Sequence, residues 1–265
     1  MKLTHFLMAS AMATTLVSNS LMADNAQATP AAPAMTDAQK QEIQKLVHDY
    51  LVANPEVLLE ASQALQQKQQ QNMQQQAQAA ILENAANLFD GKLTTIGNPK
   101  GNVTVVEFFD YQCIHCKKMA PTIDALVKKD SGLRVVYKEF PIFGKSSEVA
   151  SKVAIAAGMQ GKYSQMHDAL MKVDKRLDDQ VVMDTAKSIG LDMKKLATDM
   201  NSKEVSDILD ANRKLAEKLH LMGTPAFIVA ATPNGVFKAG TEPSFVPGAA
   251  SEESLQEMIK KAAGN

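Results

Sequence analysis

A run of seven β-branched and aromatic residues, Val103-Thr104-Val105-Val106-Glu107-Phe108-Phe109, is followed almost at once by Cys113-Ile114-His115-Cys116, which holds both cysteines of the chain. The run reads as a buried strand. Lys117 to Lys129 then places Met119, Ile123, Leu126 and Val127 at helical spacing, with Pro121 inside the run as a candidate kink. Leu133-Arg134-Val135-Val136-Tyr137 is a second strand. Strand, helix and strand within so short a stretch make a βαβ unit, and hence a parallel pair of strands. The two thiols therefore sit where a strand hands over to a helix.

That placement favours chemistry over bracing. A bond between Cys113 and Cys116 would close a loop of four residues, worth only about 2 kcal/mol on the chain-entropy estimate, against roughly 4.7 for a hundred residues. At a helix start, unpaired amides and the helix dipole favour negative charge, and a thiol there drops from about 8.5 to somewhere between roughly 3.5 and 7.5. Cys113 is expected to be the exposed attacking sulfur and Cys116 the inner, resolving one. His115 lies between them, placed to stabilise a thiolate as a cation or donor. Structural zinc needs four ligands, and His48, His167 and His220 lack ligand spacing, so no metal is expected. Glu107 interrupts the apolar strand. It lies either on a solvated edge or beneath the pair, where a raised pKa would let it pass a proton to Cys116. Lys138 on the next strand is a candidate partner for it. Gly223-Thr224-Pro225 opens a later strand, and a proline there is ordinarily only a missing donor.

The N-terminus carries Lys2, an apolar stretch from Phe6 to Val17, and small residues through Ala26-Gln27-Ala28. These are the marks of an export signal over residues 1–28, too short in its apolar part to span a bilayer. Residues 29–35 read as a linker. Thr36 and Asp37 cap a helix with Ile43, Leu46, Val47, Tyr50 and Leu51 on one face, and Asn54-Pro55 breaks it. A second helix runs to about Leu88, with Leu58, Ala61 and Leu65 early, a glutamine-rich middle from Gln66 to Gln78, and Ala77, Ile81, Ala85 and Leu88 late. Two helices cannot hide both stripes, so residues 36–92 are expected to pack on the main domain or on a second copy. A solvated helical arm on a monomer, or glutamine-rich disorder in the middle, are the other readings.

Residues from about 146 to 220 form a helical block inserted between β elements. Ala226 to Ala230 returns to strand, Asn234-Gly235 marks a tight hairpin with Val236-Phe237-Lys238, and Ser251 caps a last helix. Hydrophobic residues at 45% and charged residues at 22% are ordinary for a globular chain. A net charge of −1 gives no electrostatic case for nucleic acid or an anionic membrane.

Glu107-Phe-Phe-Asp-Tyr-Gln-Cys-Ile-His-Cys, the helical insertion and Gly223-Thr-Pro together resemble DsbA-like thiol–disulfide oxidoreductases of the thioredoxin superfamily. More narrowly, the chain is similar to the 27-kDa outer-membrane or surface antigens of intracellular gammaproteobacteria. The resemblance implies an α/β thioredoxin-like fold with an inserted helical subdomain over residues 95–265, preceded by the N-terminal helical arm. It further implies Cys113 as nucleophile, Cys116 as resolving thiol, His115 as thiolate-stabilising, Glu107 as buried acid, and Thr224-Pro225 as a cis-proline loop that pairs with substrate backbone. Ile114 stands where DsbA carries proline, which bears on oxidising strength. The long arm before the first strand is a second departure, one that resembles the disulfide isomerases DsbC and DsbG, where a dimerisation region precedes a thioredoxin domain.

The expected protein is thus an exported oxidoreductase without a cofactor. It forms or rearranges disulfides in reduced or misdisulfided exported proteins and is recycled by a membrane redox partner. It is a homodimer through residues 36–92, in the periplasm, with outer-membrane association or surface exposure left open. The rival is a surface-exposed interaction or chaperone protein in which the redox pair is incidental.

Overall fold

A computed structural model of the protein describes residues 35–264. The expected export signal and all but the last residue of the expected linker lie outside the described residues. The chain divides into two compact units, one up to Glu60 and a second from Ala61 onward.

The first unit contains α1 (Asp37–Ala53) and the start of α2 (Glu56–Glu83). Thr36 caps α1 in a capping box: its hydroxyl accepts from the Gln39 amide and the Gln39 side chain accepts from the Thr36 amide. No residue of α1 is buried, and Ile43, Leu46, Val47 and Tyr50 stand exposed along one face. The glutamine-rich middle of α2 is helical throughout. Glutamine is a fair helix former, so the stretch holds its backbone without a core to lie on.

The second unit is built on a five-stranded sheet in the order β1-β3-β2-β4-β5. Its strands are β1 (Thr95–Gly97), β2 (Val103–Phe109), β3 (Leu133–Glu139), β4 (Ala226–Ala231) and β5 (Ser244–Val246). Only β2 and β3 are parallel, joined by α4 (Ile114–Lys129), and every residue of both is buried. After α3 (Ala85–Leu88) and the sheet's first half come five helices: α5 (Lys145–Gly158), α6 (Tyr163–Met171), α7 (Asp179–Ser188), α8 (Met193–Asp199) and α9 (Lys203–Lys218). They form the inserted block. Finally α10 (Glu252–Ala263) starts on its cap Ser251. This is the thioredoxin-like α/β architecture with a helical insertion.

Strand alternation divides the core into two layers. Val103, Val105 and Phe109 face a cluster with Cys116, Met119 and Ile123 of α4 and with α5 to α8. Val106, Phe108 and Val136 face the other cluster, with Ile81, Ala85, Leu88, Phe89 and Leu215. The late stripe of α2 and α3 is thus core of this second unit, which sets the packing border upstream of the expected one at residue 92.

The late hairpin differs from expectation. Asn234 (φ 57°) and Gly235 (φ 79°) do make a left-handed turn, and a Cβ at Gly235 would lie 2.4 Å from the Pro99 carbonyl oxygen. The Lys238 amide still donates to the Ala231 carbonyl at 3.0 Å, but no strand forms over Val236–Lys238, and Phe237 stacks on Phe89 with ring centroids 5.1 Å apart. The strand paired with β4 is β5, in the register Phe227 to Val246.

Candidate functional site

Cys113 is itself the N-cap of α4, whose first residue comes three positions earlier than the expected Lys117, and its Sγ accepts from the Cys116 amide at 3.5 Å. It lies at the mouth between α4 and the loop before β4, where the Cys113 thiol, in its protonated form, donates to the Thr224 carbonyl at 3.2 Å beside the cis Thr224–Pro225 peptide. Both cysteines are free thiols. Contrary to the expectation of an exposed attacking sulfur, Cys113 is only 3% exposed, against none for Cys116. The Thr224–Pro225 loop that packs on it does the covering. Ile114 and His115 are exposed on the first turn of α4.

The two sulfurs titrate apart. The Cys116 thiol donates to Cys113, and with help from Thr224 and the amides of Cys116 and His115 this lowers the Cys113 pKa to about 5 against the opposing cost of burial. The same hydrogen bond, with burial and the nearby Glu107 carboxyl, pushes Cys116 up. The pair therefore keeps one proton, and it sits on the inner sulfur.

Glu107 is buried at the middle of β2, paired in register with Tyr137 on one side and Phe227 on the other. Burial, then the Cys113 charge, raises its pKa well above the carboxylate range. Its Oε1 has no hydrogen-bond partner. Lys138 is not its partner, a correction to the expectation. In the parallel ladder Lys138 lies opposite Phe108, so it points to the other face, where its Nζ donates to the carbonyls of Asn87 (2.7 Å) and Asp90 (2.6 Å). A one-residue offset in a strand exchanges faces.

Sequence reasoning does not single out two further carboxylates. Asp110 accepts from the Gln112 amide (2.7 Å), the Ser147 hydroxyl (2.7 Å) and the amides of Ile142 (2.7 Å) and Phe143 (3.0 Å). Only the first of these is local, an Asx turn that Asp at that offset could have signalled. Glu139 accepts from the hydroxyls of Tyr111, Tyr163 and Ser151. Burial lifts its pKa to about 8 even so. Their partners lie tens of residues away or on inserted helices, and no spacing rule reaches them. Near the mouth Ile114, Ile142, Phe143 and Met222 leave apolar side chains in solvent, Met222 almost wholly. Among the described residues no group of three or more His, Cys, Asp or Glu could hold a metal ion, and no helix is long and apolar enough to cross a membrane.

Chemically, the arrangement offers an acidic sulfur, a proton-bearing sulfur behind it, and a carboxyl beneath. Residues 104–260 match the family model of the DSBA-like thioredoxin domain, and residues 39–72 match that of the N-terminal domain of copper resistance protein ScsC. Over 175 residues the chain is 29% identical to the thiol:disulfide interchange protein DsbA of Burkholderia cepacia, covering 63% of this chain and 78% of that one. Coverage is lower for Na(+)/H(+) antiporter NhaA 1 of Salinispora arenicola, 28% identical over 139 residues, where the match takes in 50% of this chain and 21% of the antiporter. Among solved structures, BcfH of Salmonella enterica Typhimurium is 31% identical with a TM-score of 0.73, covering 85% of this chain and 96% of that one. A thioredoxin-like oxidoreductase of Silicibacter pomeroyi DSS-3 is 36% identical with a TM-score of 0.60, covering 68% of this chain and 97% of that one.

Proposed function

The chain belongs to the DSBA-like thioredoxin domain family, and from that membership we propose that it is an exported protein thiol–disulfide oxidoreductase acting on client proteins through Cys113 and Cys116. The observation that carries this reading is the placement of Cys113 as the N-cap of α4, its sulfur accepting from the Cys116 amide beside the cis Thr224–Pro225 peptide, an arrangement that lowers Cys113 and raises Cys116. In the oxidised protein, a client thiolate attacks the Cys113 sulfur, the Cys113–Cys116 bond breaks, and its electron pair leaves on Cys116. Glu107 supplies the proton that Cys116 takes up. A second client thiolate then attacks the client sulfur of the mixed disulfide, releasing Cys113 as a thiolate. Two electrons pass from the client dithiol to the protein, and a membrane redox partner takes them away. A stabilised thiolate makes the disulfide a stronger oxidant, which favours disulfide formation as the main direction. His115, on the exposed turn, stabilises the thiolate, and Thr224-Pro225 pairs with client backbone. The apolar rim of Ile114, Ile142, Phe143 and Met222 suits unfolded segments.

A second mode, rearrangement of wrong disulfides, is favoured by the uncovered apolar face of α1. That face supports self-association through the N-terminal helices of residues 36–92, as a homodimer presenting two sites to one client. The protein works in the periplasm; the narrower kinship with the 27-kDa surface antigens, and outer-membrane association with it, rest on sequence resemblance, and fractionation of cells separates the two locations. Purified protein given reduced ribonuclease regains ribonuclease activity if it is an oxidase, and scrambled ribonuclease isolates the isomerase mode. A Cys116→Ser variant that traps no client covalently overturns the function. Deleting residues 29–72, which spares the buried Ala77 to Leu88, leaves a single copy by light scattering; an unchanged number of copies ends the self-association reading.

A further inference from the structure

Beneath the loop that enters the redox pair lies a polar cluster which the exchange chemistry does not use. Glu139, the last residue of β3, has no exposure. Its Oε1 accepts from the hydroxyls of Tyr111 (2.9 Å) and Tyr163 (2.8 Å), and its Oε2 from Ser151 (2.8 Å). Asn212 of α9 donates to its backbone carbonyl at 3.1 Å. His167 stacks on Tyr137 with centroids 4.0 Å apart, and its Nδ1 lies 3.3 Å from the Tyr111 hydroxyl. Burial drops the His167 pKa to about 3, so the ring is neutral, and its Nε2 has no partner.

A carboxyl and an imidazole are a poor means of stabilising a core. Apolar side chains of similar volume do as well or better. What a satisfied polar network does supply is a single arrangement of its members. Here one member, Tyr111, stands two residues before Cys113. Its neighbour Asp110 ties the same loop sideways to the Ile142–Ser147 turn. The Tyr111 hydroxyl is the tie that runs down into the core. The Cys113 sulfur accepts from the Cys116 amide at 3.5 Å, an ordinary distance for a sulfur acceptor, and the loop that carries Cys113 sets how well the sulfur lines up with that amide.

We propose that Glu139 is a positioning residue for Cys113, acting through the Tyr111 hydroxyl to hold the Asp110–Gln112 loop where the sulfur meets the first amides of α4. The assignment rests on Cys113 being the reacting sulfur. Tyr163 provides the control: its hydroxyl also donates to Glu139, yet it lies on α6 with no chain connection to the redox loop.

The experiment compares alkylation of the reduced full-length protein by iodoacetamide across pH 4 to 9 in Tyr111→Phe and Tyr163→Phe, with mass spectrometry locating the adduct at Cys113. Both variants remove one hydroxyl and keep the ring. Tyr111→Phe is expected to slow alkylation at pH 5 by about three- to tenfold, the scale of one lost hydrogen bond, and to move the midpoint of the profile upward. Tyr163→Phe keeps the wild-type profile. Glu139→Leu reproduces the Tyr111→Phe profile, and the double variant slows no further. Unmoved profiles in Tyr111→Phe, or equal shifts in the two tyrosine variants, overturn the proposal, and the tyrosine pair decides it even if Glu139→Leu does not fold. Alkylation reads the sulfur directly, so a failure here is distinct from a failure to exchange disulfides with clients.

Discussion

On one face of the central sheet, buried Lys138 spends its charge on the carbonyls of Asn87 and Asp90, and Arg134 donates to those of Phe89 and Gly235. On the opposite face Glu107 lies under the two sulfurs with one carboxyl oxygen unpartnered. The first pair of cations fastens the end of α3 and the turn after β4 to the sheet. A backbone carbonyl left unpaired in that layer would cost about 1–3 kcal/mol, and the cations prevent it. The lone carboxyl fastens nothing and is costly where it stands. Lys138 and Arg134, buried cations whose Nζ and Nη1 hold backbone carbonyls, belong to the architecture, although the Arg134 Nε has no partner; a buried carboxyl kept short of partners beside a reactive atom belongs to the chemistry.

Four variants or conditions test this contrast. The largest effect is expected for Cys113→Ser, which should abolish ribonuclease oxidation down to the uncatalysed background while leaving the circular dichroism spectrum unchanged. Retained activity would put the chemistry elsewhere. Next comes pH. The Cys113 pKa is lowered from 9.0 to about 5 on folding, so the unfolded reduced chain binds the extra proton between those values. The stabilisation is full above pH 9 and is lost as pH falls through 5. Glu139 and His167 shift too, but they are common to a Cys113→Ala variant, while Glu107 keeps there the larger part of its shift, which comes from burial. Urea titrations of reduced wild type against Cys113→Ala should therefore show a gap that widens in favour of wild type by on the order of 5 kcal/mol from pH 5 to 9. A constant gap would contradict the assigned acidity.

Smaller and more telling is Glu107→Leu. Removing an under-partnered buried carboxyl should raise the urea midpoint by the equivalent of about 1–3 kcal/mol. It should also slow client oxidation about 10²-fold, the lower range for a lost general acid. A stability gain with no loss of rate would make Glu107 a structural accident. The smallest change is expected for Lys138→Met on the opposite face. It should lower stability by about 2 kcal/mol, having stripped two carbonyls of their donor, and leave the exchange rate as it was. Slowed exchange there would erase the distinction between the two faces.

The strand Val103–Phe109 is legible to the residue, since seven buried positions leave a β-branched and aromatic run broken only by Glu107. The redox pair is legible because Cys113 and Cys116 lie within one helical turn of each other, while the Thr224 carbonyl that meets Cys113 comes from 111 residues away. Proximity in sequence decides the rest as well. Glu107 is readable as an intruder in an apolar strand, but which face Lys138 takes depends on register. The three-residue β1 and β5 are too short to carry a period, and Phe237 leaves the expected hairpin for a stack on Phe89. Asp110, Tyr111 and Glu139 are invisible as a group because they meet residues of the inserted helices, and only the assembled fold brings those to the loop. The late stripe of α2 reads correctly as a face in need of cover. What covers it is the layer beneath Val106 and Phe108.

The most direct test of the whole account is the titration of the Cys113 thiolate in the reduced protein, followed by its ultraviolet absorbance and checked by alkylation. A midpoint near 5, with Cys116 still protonated well above neutrality, is the predicted result. A midpoint of about 8.5, that of an unperturbed cysteine, would contradict it.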